Sequence, residues 1–334
     1  MSNDSIGIGV LGLGFMGRTH VRAWNAAQRD GQPCHLAAVS DARPEALSGE
    51  DQSSGNIEAS AGERLFDPAV VHTHTEPEAL FADESVQVVS ICTPTDSHVG
   101  LTLRALEAGK HVLIEKPLAV TAAECEPVAA AAAQASTLCM PAFCMRFWPG
   151  WDWLAREARA GTFGAVRSAS FRRLASPPNW NPDFYKNAAK TGGALVDLHI
   201  HDADFVRFAF GEPDSVQSTG TLDHITTHYR YQDGPAHVSA EGAWDHHPGF
   251  PFEMRYVVVF EEATADFHFG REHPLLVHKN GESTPVELSD LLGYDGEVRH
   301  LLAAVRGECE LAATAEDALA TARLLDAERA CLEG

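Results

Sequence analysis

Short apolar runs alternate with helical patterns through the first third of the chain. The runs cover residues 6–11, 35–40, 86–92 and 111–115, and helical patterns follow at 17–28, at 99–108 and from Thr121 onward. The run at 86–92 is the most apolar, which is typical of a strand buried on both faces. Strands that alternate with helices predict βαβ units and a parallel sheet.

The pattern changes after about residue 140. A helix is predicted from Pro149 to about Ala160 and another from Gly192-Gly193 to about Phe210, and a helical tail runs over 296–333. Strand-like runs cover 165–174, 216–222, 226–231, 238–244, 254–260 and 263–269. Consecutive strands joined by turns predict an antiparallel sheet. The fold class is therefore α/β, with a doubly wound parallel sheet over 1–140 and an α+β domain with a large, mostly antiparallel open sheet over 141–334. The polar segment 49–63 is predicted to be a surface loop or insertion.

Composition narrows the function classes. Apolar residues make up 45% of the chain, and 25 Lys and Arg against 47 Asp and Glu give a net charge of −22. A surface this acidic repels phosphates and anionic lipids, so nucleic-acid and membrane partners are not expected. Seven cysteines without a C-x-x-C pair indicate reduced thiols, and no signal peptide or membrane span is evident. We therefore expect a cytoplasmic protein.

A glycine motif follows the first apolar run and opens a helical pattern. In this motif Gly12 permits a tight turn, Gly14 lets a pyrophosphate approach the backbone, and Gly17 lets helix and strand pack closely. The motif also includes Phe15 and Met16, whose N–H groups open the helix. By itself this motif is a weak signal, since a plain glycine-rich turn has the same spacing. The strand–turn–helix context favours a dinucleotide site.

The nucleotide preference depends on two residues after the second strand. Asp41 ends that strand 24 residues after Gly17, where an acidic side chain can hold the ribose 2′-OH and repel a 2′-phosphate. Arg43 follows two residues later and could instead bind a 2′-phosphate. This pattern favours NAD and leaves NADP possible.

Two further motifs suggest reactive chemistry. Glu115-Lys116-Pro117 ends a buried strand, which is where doubly wound sheets bind ligands, although a surface lysine before a turn proline is the commoner case. Asp197 and His201 lie four residues apart on a predicted helix, so they share a face. The carboxylate could orient the imidazole for acid–base work, or the two could form a surface ion pair.

Together these segments resemble the Gfo/Idh/MocA oxidoreductase family. The resemblance rests on GLGFMG at 12–17, ICTPTDSH at 91–98, ALEAGKHVLIEKPLA at 105–119 and GGALVDLHIHDAD at 192–204. It implies a Rossmann domain, a substrate-binding and oligomerisation domain, and hydride transfer between NAD(P) and a sugar, inositol or related polyol. A homodimer or homotetramer is also implied, and no metal is expected.

The resemblance assigns roles to individual residues. It implies that His201 is the general base, that Lys116 stabilises the developing alkoxide, and that Asp197 orients His201 or binds a neighbouring hydroxyl. Further residues are expected to contact the cofactor (Thr93, Pro94, His98 and Glu115) or the substrate (Arg146, Trp180 and Tyr185). Many relatives have glycine where this chain has His199, so this imidazole either joins the substrate site or turns away from it.

Two other functions fit parts of the sequence. The His199-Ile200-His201 segment resembles the H-x-H metal motif of amidohydrolase barrels, but it lies in a helical pattern and leaves the glycine motif unexplained. A non-catalytic regulatory relative that binds NAD or a sugar is the second alternative. Such relatives tend to lose the catalytic Lys or His, and both are present here.

Overall fold

The computed structural model describes residues 5–50, 64–178, 185 and 187–333. Its contacts divide the chain into two compact units. The first comprises Met1–Phe143 and Tyr294–Ala320, and the second comprises Cys144–Gly293 and Thr321–Gly334. The predicted boundary near residue 140 lies close to the first of these junctions. The prediction placed residues 294–320 in the C-terminal domain, whereas their contacts group them with the first unit. Arg299 forms an ion pair with Asp30 there, at 2.5 Å.

The first unit contains a six-stranded parallel sheet flanked by helices. Its strands are β1 (Ile6–Leu11), β2 (Cys34–Ser40), β3 (His72–His74), β4 (Val88–Ile91), β5 (His111–Ile114) and β6 (Cys139–Pro141). They are ordered β3-β2-β1-β4-β5-β6, the doubly wound order of a Rossmann sheet. The helices between them are α1 (Phe15–Arg29), α2 (Pro77–Ala82), α3 (His98–Glu107) and α4 (Ala122–Gln134). The order reverses between β1 and β4, and doubly wound sheets bind ligands beyond the carboxyl ends of the strands at such a switch point.

Local sequence signals explain where these helices begin and end. The Thr121 hydroxyl accepts a hydrogen bond from the Glu124 N–H, and the Glu124 carboxylate accepts one from the Thr121 N–H, as the predicted capping box requires. Gly109 follows α3 with a positive φ of 73°, which only glycine adopts without strain. Strands β4 and β5 are short and buried on both faces, so their apolar runs show no alternation.

The second unit contains an eight-stranded sheet with helices. Its strands are β7 (Val166–Leu174), β8 (Ser215–Thr221), β9 (His224–Arg230), β10 (His237–Ala243), β11 (Glu253–Phe260), β12 (Thr264–His268), β13 (Leu275–Lys279) and β14 (Glu282–Pro285). The helices of the remaining chain are α5 (Trp151–Ala160), α6 (Ala188–Thr191), α7 (Gly193–Asp197), α8 (Ile200–Phe210), α9 (Gly293–Val305) and α10 (Ala315–Glu333). The strand order is β14-β13-β12-β11-β7-β10-β9-β8, and every pair is antiparallel except β7 with β10.

Alternation along the strands builds the core of this unit. In β11, buried and partly exposed residues alternate, and Tyr256 and Val258 are fully buried. Trp151 packs edge-on against Phe205 and Tyr256, with ring centroids 4.8 Å and 5.4 Å apart. One face of the sheet is therefore covered by apolar side chains.

The structure adds elements that the sequence patterns missed. These are strands β3, β6, β13 and β14 and helices α2 and α6, all of six residues or fewer, which are too short to show periodicity. The predicted loop at 49–63 lies largely outside the described residues. All seven cysteines are free thiols, as expected, although Cys309 and Cys331 are exposed. Within the described ranges, no helix is both long and apolar enough to cross a membrane.

Candidate active site

The glycine turn between β1 and α1 has the geometry that a dinucleotide requires. Gly12 has a φ of +86°, and a Cβ there would lie 2.9 Å from the Cys92 carbonyl oxygen. A Cβ on Gly17 would lie 1.7 Å from the Gly12 oxygen, so helix and strand could not pack so closely. A Cβ on Gly14 would meet nothing within 4 Å, which leaves room for a phosphate beside the backbone. The three glycines thus fit the three roles expected in a nucleotide-binding turn, which are the tight turn, the close approach of a pyrophosphate and the close packing of helix and strand.

Helix α1 begins directly after this turn. It starts at Phe15, and the Arg18 N–H donates to the Gly14 oxygen at 3.1 Å. Phe15, Met16 and Gly17 therefore form the first turn of the helix, and such a turn favours anions through its N–H groups and its dipole. These residues fit the pyrophosphate of NAD.

Asp41 is held in place by the glycine turn and by Arg43. One carboxylate oxygen accepts the Leu13 N–H at 2.7 Å, and the other accepts the N–H and the Nε–H of Arg43 at 2.9 Å. Burial acts to raise the pKa of Asp41, but the hydrogen bonds from Arg43 and Leu13 together outweigh it and bring the pKa below its usual value. The carboxylate is therefore charged at neutral pH. The Arg43 side chain is 58% exposed, and its guanidinium lies against Asp41. An ionised carboxylate at this position suits a ribose hydroxyl.

His98 connects two loops that follow neighbouring strands. Its Nε2 lies 2.7 Å from the Thr93 oxygen, and its Nδ1 lies 2.8 Å from the Pro117 oxygen. Burial lowers the pKa of His98, and a neutral imidazole donates to one of these carbonyls at a time. His98 is fully buried, so it positions the loop around Pro94 and the turn after Lys116 rather than facing a ligand itself.

Lys116 follows β5 and is half-buried, and its peptide bond to Pro117 is cis. The Lys116 N–H donates to Oε2 of Glu115 at 3.0 Å. The other oxygen of Glu115 lies 2.9 Å from His20 Nε2, and Oε1 of Glu297 lies 3.6 Å from that same nitrogen. The sequence-predicted Lys116 is thus adjacent to a buried cluster of one histidine and two glutamates.

The charges in this cluster are unequal. Burial acts to raise the pKa of Glu115, but the hydrogen bond and charge of His20 outweigh it and hold the pKa below its usual value. Burial and the charge of Glu115 raise the pKa of Glu297 well above its usual value. Glu115 is therefore ionised near neutral pH, and Glu297 favours its protonated form. Burial also raises the pKa of the neighbouring Cys92 thiol.

Sequence reasoning missed His20 and Glu297. Both are 0% exposed, and both lie on the apolar faces of helices, α1 and α9 respectively. A histidine within the apolar stripe of α1 is a signal that could have indicated a buried polar partner. Glu297 is likewise a polar residue on the apolar face of its helix. Its partners, His20 and Glu115, are distant in sequence, so they could not be deduced from it.

In the second unit, Asp197 and His201 lie on either side of a helix break. The predicted single helix over 192–210 is two helices, because the N–H groups of both Leu198 and His199 donate to the Ala194 oxygen. The bond from His199 spans five residues, which is the spacing of a π-type turn. Asp197 ends α7, His201 is the second residue of α8, and both are half-buried.

His199 points into the core, which is the second of the two alternatives left open by the sequence. It is 0% exposed, and its Nε2 lies 3.0 Å from Oε2 of Glu328 and 3.2 Å from the Tyr229 hydroxyl. Burial lowers the pKa of His199, but the charge and hydrogen bond of Glu328 raise it more, so the net shift is upward. These core partners take the place of the predicted substrate contact.

Arg146 also has buried partners instead of the predicted substrate contact. Its guanidinium binds Asp204 through two hydrogen bonds of 2.9 Å and 2.6 Å and lies 4.8 Å from the centroid of the Phe208 ring. The Thr321 hydroxyl donates to the same carboxylate. Arg146 is only 5% exposed, and its two parallel hydrogen bonds to Asp204 are typical of a structural ion pair.

Of the two remaining predicted substrate residues, the structure describes Tyr185. Tyr185 packs edge-on against Trp244 at 5.8 Å between centroids. It contacts a small core cluster of Ala175, Ala194 and Trp244. Trp180 lies outside the described residues. The substrate role of both residues stays a prediction.

The H-x-H alternative has no support in this geometry. His199 is the N-cap residue of α8 and His201 lies in its first turn, and the parallel sheet is open rather than closed into a barrel. Neither belongs to any group of three potential metal ligands within the part of the chain that the structure describes.

Comparisons with known proteins place the chain among oxidoreductases. Residues 6–143 match a family described as oxidoreductases with an NAD-binding Rossmann fold, GFO_IDH_MocA. Residues 153–266 match the GFO/IDH/MocA C-terminal domain. The two matches together cover most of the chain.

Individual relatives are similar at low identity. The inositol 2-dehydrogenase of Rhizobium meliloti (strain 1021) is 26% identical over 346 residues, which covers 97% of this chain and 96% of the relative. The myo-inositol 2-dehydrogenase of Thermotoga maritima is 30% identical over 207 residues, which covers 61% of this chain and about half (55%) of the relative. A levoglucosan dehydrogenase solved with NADH and levoglucosan has a TM-score of 0.81 at 21% identity, over 98% of this chain and 97% of that chain, and shows the shared fold.

Proposed function

Because the chain belongs to the Gfo/Idh/MocA oxidoreductase family, with its NAD-binding Rossmann fold, we propose that it is a dehydrogenase of a sugar, an inositol or a related polyol. Relatives named as inositol dehydrogenases support this substrate class. The observation that carries the proposal is the position of Lys116. It follows β5 of the nucleotide-type sheet, on the edge where such sheets bind ligands, next to an ionised glutamate.

In this proposal the first unit holds the cofactor. The turn from Gly12 to Gly17 binds the pyrophosphate, Asp41 holds a ribose hydroxyl, and the loop of Thr93 and Pro94 lies toward the nicotinamide. When bound, NAD supplies a nicotinamide that exchanges a hydride with the carbinol carbon. The ionised Asp41 favours NAD over NADP, since a 2′-phosphate would meet like charge.

In this proposal three side chains have chemical roles in the oxidation of the substrate hydroxyl. His201 takes up the hydroxyl proton at a ring nitrogen, and Lys116 stabilises the oxygen as it gains negative charge. Asp197 orients the His201 imidazole or binds a neighbouring hydroxyl of the polyol. Each of the three side chains is half-buried, so each is partly desolvated and partly accessible to solvent.

Location and assembly complete the proposal. Seven free thiols suit a reducing compartment such as the cytoplasm. We further propose a homodimer or homotetramer, because one face of the open sheet carries partly exposed apolar residues such as Val257 and Val259. Light scattering after size exclusion measures this directly, and a monomer at micromolar concentration would refute it.

The test combines binding with turnover. Thermal shifts with NAD⁺, NADH, NADP⁺ and NADPH identify the cofactor, and we expect stabilisation by the NAD pair; a ligand at 100 times its Kd adds about 2.7 kcal/mol. Absorbance at 340 nm with NAD⁺ and a panel of inositols, anhydrosugars and reducing sugars then reports turnover. Binding of NAD without turnover of any panel member would favour a regulatory relative. No shift with any nucleotide would overturn the proposal.

A further inference from the structure

His72 and His74 form a histidine pair that the proposed dehydrogenase does not use. They begin and end β3, the edge strand of the parallel sheet. Residues two apart on a strand point to the same face, so both imidazoles lie on one side of this edge. The side chain of His72 is 59% exposed, and that of His74 is 21% exposed.

Both imidazoles converge on a single carboxylate oxygen. His72 Nδ1 lies 2.8 Å and His74 Nε2 lies 3.1 Å from Oδ2 of Asp83, the residue after α2. Oδ1 of Asp83 accepts the N–H of Ser85 at 2.9 Å and its hydroxyl at 2.6 Å. Ser85 therefore fixes the carboxylate orientation and leaves Oδ2 directed at the two histidines.

We propose that His72, His74 and Asp83 form a binding site for a divalent transition metal of the zinc class. Two imidazoles and one carboxylate are ligands that zinc uses at its three-residue sites, with water completing a tetrahedron. Metal–ligand distances of about 2.1 Å place tetrahedral ligand atoms about 3.4 Å apart. The three atoms lie within 4.8 Å of one another, so zinc needs only small side-chain shifts.

The protonation of Asp83 agrees with this geometry. Partial burial raises the pKa of the Asp83 carboxyl, but hydrogen bonds from Ser85, His72 and His74 lower it well below its usual range. The carboxylate is therefore ionised at neutral pH. The Ser85 bonds also supply the orienting contacts that metal-binding carboxylates generally have around them.

A second group of possible ligands in this unit shows why access matters. His20, Glu115 and Glu297 also bring three ligand atoms together, but each is 5% exposed or less. Glu115 there already accepts the Lys116 N–H, and Glu297 is protonated. That cluster is closed to ions, whereas the His72, His74 and Asp83 site is open to solvent through His72.

Zinc titration of the full-length, untagged chain by calorimetry tests the proposal. We expect wild type to bind one more zinc per chain than the double variant His72→Gln/His74→Gln. The Ser85→Ala variant should bind that zinc up to about tenfold more weakly, because it loses the orienting hydrogen bond of the hydroxyl and keeps only that of the backbone N–H. His278→Gln is the matched control, since His278 also lies on a sheet strand with a serine hydroxyl 2.8 Å away. It should bind as wild type does.

Several results would overturn the site. Equal zinc stoichiometry and affinity in wild type and the double variant would place any binding elsewhere. An absence of zinc binding by wild type at about 100 micromolar zinc would refute the site. Equal binding of Mg²⁺ would refute the metal class, because magnesium prefers oxygen ligands. Thermal unfolding without metal checks that the variants fold, and the Ser85→Ala result remains informative if the double variant does not.

Discussion

A buried histidine–glutamate pair lies beside a proposed catalytic residue in each of the two units. In the first unit, His20 bonds Glu115, which directly precedes Lys116. In the second unit, His199 bonds Glu328 and lies two residues before His201. Both pairs are sealed from solvent.

The pairs differ in their third member. The first includes a second carboxylate, Glu297, whereas the second includes the hydroxyl of Tyr229. Two carboxylates around one imidazole cannot all be charged without a large cost, so Glu297 keeps its proton. A phenol adds no charge, so the second pair can be an imidazolium with a carboxylate. Similar residue types thus form two clusters whose protonation differs, because only the first contains a second carboxylate that retains its proton.

The largest effect should come from the residue beside the second pair. Replacing His201 with Ala should lower kcat by about 10²–10⁴-fold, the usual contribution of general acid–base catalysis. The NAD-induced thermal shift should stay as in wild type, because the cofactor turn lies in the other unit. Steady-state kinetics and thermal shift measure the two. An equal loss of nucleotide binding would mean that His201 supports folding instead.

The next largest effect, a loss of folding stability, should come from removing either buried carboxylate. Glu115→Ala and Glu328→Ala should each lower the free energy of unfolding by about 3–5 kcal/mol, because breaking a buried pair leaves its partner uncompensated. Urea denaturation measures this loss. Glu115→Ala should also lower kcat, since the Lys116 N–H loses its acceptor.

Glu241→Ala is a control for these variants, because that glutamate pairs with the half-exposed His224 and should matter far less. A loss below about 1 kcal/mol in both buried variants would show that neither pair is desolvated.

A smaller effect should appear in the pH dependence of the second pair. The folded-state pKa of His199 is raised, so its ion pair contributes in full below the unfolded pKa of about 6.5 and is lost as the pH rises through the folded value. The stability advantage of wild type over His199→Gln should therefore shrink as the pH rises above about 6.5. Urea denaturation from pH 6 to 9 measures it. A constant difference would show that His199 is neutral throughout, and His228→Gln on the sheet surface serves as control.

The smallest effect should come from Glu297→Gln. A protonated glutamate and a glutamine share shape and charge, so stability at neutral pH should change by about 1 kcal/mol or less. Because the folded pKa of Glu297 is raised, wild type loses stability as the pH rises above the unfolded value, and the glutamine variant does not. Denaturation across pH 5 to 8 should show the variant gaining on wild type. A large loss in the variant near pH 5 would show that Glu297 is ionised.

Much of the first unit could be predicted because its signals are local. Gly12, Gly14 and Gly17 encode a turn within six residues, and Thr121 and Glu124 encode a cap within four. The sheet of the second unit was also predictable where buried and partly exposed residues alternate along a strand, as they do in β11. The short strands β13 and β14 carry too few residues to show a period.

The candidate site was less accessible to sequence reasoning. Asp197 and His201 were expected on one helix face, but the bond from His199 to Ala194 divides that helix. Arg146 and His199 were predicted to bind substrate, yet both find buried carboxylates, Asp204 and Glu328, that lie 58 and more than 100 residues away. Sequence spacing contains no information about partners at such distances.

The NAD-type turn, the alternation of strands and helices and the motif residues of a dehydrogenase can all be read from sequence alone, because each depends on neighbours a few residues apart. Tertiary structure alone decided which polar residues are buried and with whom. Desolvation and pairing raise the pKa values of Glu297 and His199, and the fold brings His72 and His74 together at Asp83. These properties arise from groups brought together by folding, so no local pattern records them.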